Sequence, residues 1–247
     1  MKKWVAFTFV FLQFPAFLKA QSTNEQIWFE YMLNYPFANS WNIELAGTYS
    51  TVLNSPRWRA FDLQVTPEYA ITQHVDVMGA LLVSRTFQEE ALSTFEVREM
   101  LGARFHFTPN RRILTRLLVR FENRNIQNKE TDEWGSSNRL RFRAESLIPL
   151  NKPTMFSGDK LWYSILDAEA FVVMDKDAEE RFANRLRIRT GVGYRINYGL
   201  RLEFVYTLQR SRNALEDDFQ TTDNIFRFRI KQYLNKAKPS TVTGTGN

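Results

Sequence analysis

The sequence predicts an all-β protein, a single antiparallel transmembrane β-barrel of ten to twelve strands, twelve preferred, around a charged, arginine-rich lumen. Three observations predict it. Apolar and polar residues alternate with period two through nearly everything after residue 25, the repeat of a strand with one dry face and one wet face. Most alternating runs cover about ten to fourteen residues, whereas soluble strands usually cover about five or six and a tilted membrane strand needs about nine to eleven. Tight turns also alternate with longer polar loops, the sorting that separates the two ends of a membrane barrel.

Eleven runs are readable, at about 26–35, 41–51, 57–70, 75–86, 94–107, 112–124, 137–148, 160–174, 182–195, 200–210 and 223–234. Trp41, Ile43, Leu45, Gly47 and Tyr49 alternate with Asn42, Glu44, Ala46 and Thr48. Phe61, Leu63, Val65 and Tyr69 then oppose Asp62, Gln64, Thr66 and Glu68. Val75, Val77, Leu81 and Val83 oppose Asp76 and Ser84. Ile113 to Phe121 oppose Arg116, Arg120, Glu122 and Arg124, and Leu140, Phe142 and Ala144 oppose Arg139, Arg141, Arg143 and Glu145. Leu166 to Val172 oppose Asp167 and Glu169, and Phe226, Phe228 and Ile230 oppose Arg227, Arg229 and Lys231.

The stretch NRLRIRTGVGYRINYGLRLEFVY, from Asn184 to Tyr206, repeats the pattern on both sides of a turn at Asn197-Tyr198-Gly199. Other tight connections are Ile71-Thr72-Gln73-His74 and Thr108-Pro109-Asn110, rich in turn-forming residues. Phe87–Ser93, Asn125–Ser137, Asp175–Arg181 and Ser211–Thr222 read as the long loops. The stretch Pro149–Lys160 is the exception, longer than the short turn due at that place.

Two features sit awkwardly. Bacterial single-chain barrels have an even number of strands, and eleven runs make the first descend from outside. A run split or missed near the N-terminus, or a first segment that is not a full wall strand, would restore parity. Glu99 falls on the apolar face of its run, with Phe95, Val97 and Leu101, unless a bulge turns it inward.

Residues 1–20 read as a signal peptide: Met1-Lys2-Lys3, an apolar stretch from Trp4 to Leu18, then Lys19-Ala20 before a polar start. The apolar stretch is shorter than the roughly 20 residues of a spanning helix. Residues 21–234 form the expected outer-membrane barrel. Residues 235–247, NKAKPSTVTGTGN, read as a disordered tail. The formal charge of the whole chain is +6. Removing residues 1–20 takes away Lys2, Lys3 and Lys19 and no acid, leaving +3, too mild a balance to argue for a polyanion partner. No nucleic-acid partner is expected. With no cysteine in the chain, disulfides and thiolate sites are excluded. Aromatic residues near run ends, such as Tyr35, Trp41, Tyr69, Trp162 and Tyr194, suit interfacial girdles; the alternative is the aromatic core of a soluble sandwich.

Gln26-Ile27-Trp28-Phe29-Glu30-Tyr31 after a signal peptide, then the strand Arg139 to Glu145, then Asn184-Arg185 leading into Gly191-Val192-Gly193-Tyr194-Arg195-Ile196, resembles an outer-membrane barrel family called domain of unknown function 2490. The resemblance covers most of residues 25–234. It implies a barrel in the outer membrane of a Gram-negative bacterium and carries no activity with it. The surrounding partners would be outer-membrane lipid and lipopolysaccharide, with the barrel-assembly machinery during biogenesis; the oligomeric state is left open. One departure is the tail beyond Tyr233-Leu234, where many such barrels end on a terminal aromatic.

No catalytic, cofactor or metal motif stands out. His74 lies in a turn and His106 on a polar face, neither beside a nucleophile motif. The loop acids have no ligand spacing. What remains is the charged inner face. Its candidate residues are Arg120, Arg139, Arg141, Arg143, Glu145, Asp167, Glu169, Arg185, Arg187, Arg189, Arg201, Glu203, Arg227 and Arg229. Either they pair as Arg–carboxylate networks that plug the lumen, or the arginine surplus lines a narrow anion-preferring pore. Long arginines in a barrel of this size favour the plug. A surface lipid hydrolase is a third and weaker reading.

Overall fold

The computed structural model describes residues 23–38, 40–54, 57–89, 93–174, 185–212 and 219–234. The expected signal peptide, the expected tail and the whole of the expected Asp175–Arg181 loop lie outside the described residues. Eleven strands follow one another: β1 (Thr23–Phe37), β2 (Trp41–Val52), β3 (Trp58–Ala70), β4 (Val75–Gln88), β5 (Thr94–His106), β6 (Leu114–Asn128), β7 (Trp134–Pro149), β8 (Leu161–Val173), β9 (Arg185–Asn197), β10 (Leu200–Arg212) and β11 (Phe219–Tyr233). They close into one barrel in sequence order.

Every neighbouring pair is antiparallel except the closing one. β1 and β11 run parallel, in register from Thr23↔Thr222 to Asn34↔Tyr233. The count is therefore eleven, not the preferred twelve. Parity is met by a parallel seam and not by an extra strand, because an odd number of alternating strands leaves first and last pointing the same way. β1 is a full wall strand of 15 residues, bonded on both edges.

The strands also reach further than their alternation suggests. β6 continues to Asn128 and β7 starts at Trp134, so the expected Asn125–Ser137 loop shrinks to 129–133. β10 and β11 likewise take in both ends of the expected Ser211–Thr222 loop. Polar residues there still pair edge to edge, since the ladder satisfies backbone groups whatever the side chain. Followed around the wall, the registers return to β1 displaced by about 14 residues, a stagger that tilts eleven strands by roughly 40°.

The polarity is inside out. Outward positions are apolar and open, as with Leu63 at 66%, Leu101 at 68% and Ile188 at 55% exposure. At the end bearing the β1–β2, β3–β4 and β9–β10 turns the outward aromatics form a belt: Phe37 stacks on Tyr35 and Trp41, Trp41 meets Tyr69 at 4.9 Å between ring centres, and Trp162 meets Tyr194 at 4.5 Å. Glu99 stays on this outer face. β5 pairs with β4 and β6 without a register shift, so no bulge turns it inward, and it is exposed beside Leu101.

The only cluster of buried apolar side chains recorded among the described residues sits inside the barrel, at the turn end. Met155 from the 150–160 connection packs with Leu161, Tyr163, Ile165 and Val205, flanked by Leu114 and Leu147. The unusually long turn thus folds inward. Arg195 holds it there, its Nη2 donating to the Met155 carbonyl at 2.6 Å.

Candidate functional site

Period two places the even residues of β5 and β6 and the odd residues of β7 to β11 inside, so arginines from all of these seven neighbouring strands except β8 crowd one side of the lumen. Carboxylates on the same face hold them. Glu122, at 0% exposure, takes Arg120 at 2.5 Å and Arg139 at 2.6 Å, with Arg98 and Arg141 within 3.7 Å. Glu169, at 1%, takes Arg141 and Arg189 closely and Arg187 at 3.5 Å. Asp167 bridges Arg143 at 2.5 Å and Arg189 at 2.9 Å, and Glu145 bridges Arg116 and Arg143, both at 2.6 Å. Glu96 completes the chain with Arg98 and Arg124. Ion pairs thus run unbroken from β5 to β9.

A second group joins the seam. Glu30 on β1 takes Arg229 at 2.5 Å and Arg227 at 3.4 Å; Glu203 takes Arg229 at 2.9 Å and Lys231 at 3.1 Å. Tyr163 adds its hydroxyl to Glu203 at 2.6 Å. That bond crosses β9, and it passes because Gly193 lies between the two: a Cβ on Gly193 would run into the Tyr163 ring.

Most pairs are neighbours, not opposites across the lumen. Glu122 and Arg139, Glu145 and Arg116, Asp167 and Arg189, Glu203 and Arg229, and Glu30 and Arg229 are direct register partners. Arg120–Glu122 and Arg143–Glu145 are two residues apart on one strand. Within the described ion pairs of these two groups, eleven arginines and Lys231 share seven carboxylates. Aromatic faces take part of the excess: Arg139, Arg141 and Arg187 lie 4.7, 5.3 and 5.0 Å from the Phe171 ring.

Of the residues expected from sequence, Arg120, Arg139, Arg141, Arg143, Glu145, Asp167, Glu169, Arg187 and Arg189 belong to the first group, and Glu203, Arg227 and Arg229 to the second. Arg185 faces inward on β9 and lines the remaining cavity. Arg201 joins neither group; its guanidinium lies 4.4 Å from the Tyr233 ring. His106 has its Nε2 2.6 Å from Asp76, beside Arg104. Sequence reasoning passed over Glu30, Tyr163 and Met155. Glu30 alternates correctly between Phe29 and Tyr31, so period two alone would have found it once the first run is accepted as wall.

The opposite side differs. Inward positions of β2 to β4 carry Ala46, Thr48, Gln64, Thr66, Met78 and Leu82, with Glu44, Asp62 and Glu68, and no arginine. Between the two sides lies a cavity of about 600 Å³, lined from Trp28, Arg139 and Arg185 down to Asn42, Tyr198 and Tyr233.

These features define a class: a closed single-chain β-barrel with an apolar outer wall and an interior of buried Arg–carboxylate ion pairs beside a cavity. The chain belongs to the DUF2490 family, whose description is a protein of unknown function and whose model matches residues 25–220. A comparison with curated proteins gives no match.

Proposed function

We propose that this chain is an outer-membrane β-barrel whose lumen is plugged by its Arg–carboxylate network, with a structural or loop-presenting role. The observation that carries the reading is the reversed polarity, apolar outward and ionised inward, the arrangement a barrel needs in hydrocarbon. Wall height supports it: 13 residues tilted by roughly 40° stand roughly 30 Å tall, enough for an apolar band of about 25 Å. The filled side supports the plug, as does the inward Met155 connection.

Placement is tested with single-tryptophan variants in vesicles of brominated lipid. Trp162, outward, is expected to be strongly quenched, and Trp28, inward, weakly. Equal quenching of both, or failure to enter vesicles, would contradict the membrane reading. A second reading, a narrow anion-preferring pore, is favoured by the cavity beside the network; rapid anion flux through reconstituted vesicles would support it over the plug.

A further inference from the structure

Two arginines on the cavity wall are incompletely matched. Arg227 reaches Glu30 only at 3.4 Å, and the oxygen it faces already accepts from Arg229 at 2.5 Å. Its Nε is buried without a hydrogen-bond partner, in a residue 8% exposed. Arg187 meets Glu169 at 3.5 Å, on an oxygen Arg189 holds more closely, and its Nε donates to the neutral Gln209 at 2.6 Å. Both guanidinium groups lie against one indole, 4.4 Å and 6.0 Å from the Trp28 ring. All three side chains line the cavity, and its far wall carries Ala46, Thr48 and Gln64 with the carboxylates Glu44, Asp62 and Glu68, and no cation.

We propose that Arg187, Arg227 and Trp28 form a binding site for the phosphoryl group of a small phosphate monoester. Two planar guanidinium forks suit an anion with several oxygens, and a charge near −2 balances two under-compensated cations. Inside a confined cavity an incompletely paired charge attracts a counter-ion more strongly than on the open surface. The cavity falls within the size of small-molecule pockets, with room for a polar body beyond the phosphate, which Thr48 and Gln64 would meet. The inference goes beyond the plugged-barrel reading, because the site exists whether the lumen conducts or not.

The test uses the purified full chain in detergent micelles, so it does not depend on membrane placement. Glycerol 1-phosphate, inorganic phosphate and sodium chloride are titrated at constant ionic strength, with calorimetry and tryptophan fluorescence as readouts. Glycerol 1-phosphate is expected to bind saturably and more tightly than inorganic phosphate, with a change in Trp28 emission. R187Q and R227Q should each weaken binding by about tenfold or more, while R111Q, at an exposed turn position, leaves it unchanged. Heat-modifiable gel mobility checks that each variant is folded. Should a glutamine variant fail there, R187K and R227K keep the charge and are expected to bind severalfold more weakly. No saturable binding, wild-type affinity in folded R187Q and R227Q, or an equal response to chloride would overturn the site. Equal affinity for the two phosphates would overturn the monoester assignment.

Discussion

The wall from β5 to β9 and the wall from β2 to β4 follow the same period-two rule and fill the lumen in opposite ways. On the first, long arginines reach inward and are stitched to Glu96, Glu122, Glu145, Asp167 and Glu169. On the second, short side chains such as Ala46, Thr48 and Thr66 stand among Glu44, Asp62 and Glu68, no arginine points inward, and the cavity is left. The difference teaches that alternation decides only which way a side chain points. What closes the interior is side-chain length and whether each charge finds a partner next door. Ion pairs that lie within a strand or between register partners form with the ladder itself, so the filled wall is fixed by the same hydrogen bonds that fix the strands.

The largest expected effect breaks the filled wall at its centre. E122Q removes the one carboxylate that faces four arginines, leaving buried cations unmatched, and is expected to destabilise the barrel by about 3–5 kcal/mol in urea unfolding from micelles. A loss under about 1 kcal/mol would mean that water, not Glu122, stabilises those arginines.

Next comes the inward connection. M155A removes the apolar contact with Leu161, Tyr163, Ile165 and Val205 and is expected to lower stability by about 2 kcal/mol. Proteolysis should then become faster within 150–160. Unchanged stability and cleavage would show that the connection does not seat in the lumen.

A smaller effect is expected from Y163F. Glu203 keeps Arg229 and Lys231, so losing the hydroxyl should lower stability by about 1 kcal/mol. The smallest is D62N on the short-side-chain wall, where Asp62 accepts from Ser84 at 2.6 Å; an asparagine oxygen still accepts, and the change should stay within about 0.5 kcal/mol. A D62N effect as large as that of E122Q would erase the distinction between the walls.

Facing was legible in the sequence because a strand's period is fixed by backbone geometry. Arg139, Arg141 and Arg143 had to share a side whatever their partners. Partner choice was not legible: that Glu122 serves Arg139, or Glu30 serves Arg229, depends on register between strands and, for Glu30, on closure across 199 residues. The parallel seam was hidden for the same reason, since parity constrains closure without saying how the ends meet. Met155 gave no signal, because nothing in the sequence tells it, seated inside, from Leu150 and Phe156, left exposed in the same connection. Glu99 was flagged by its pattern, and nothing in the structure explains why it remains on the outer face.

The proposed plug is tested most directly by single-channel recording of the full chain in planar bilayers. Folded, inserted wild-type protein is expected to give no stable conductance steps. Steady steps with anion selectivity would contradict the plug and favour the pore.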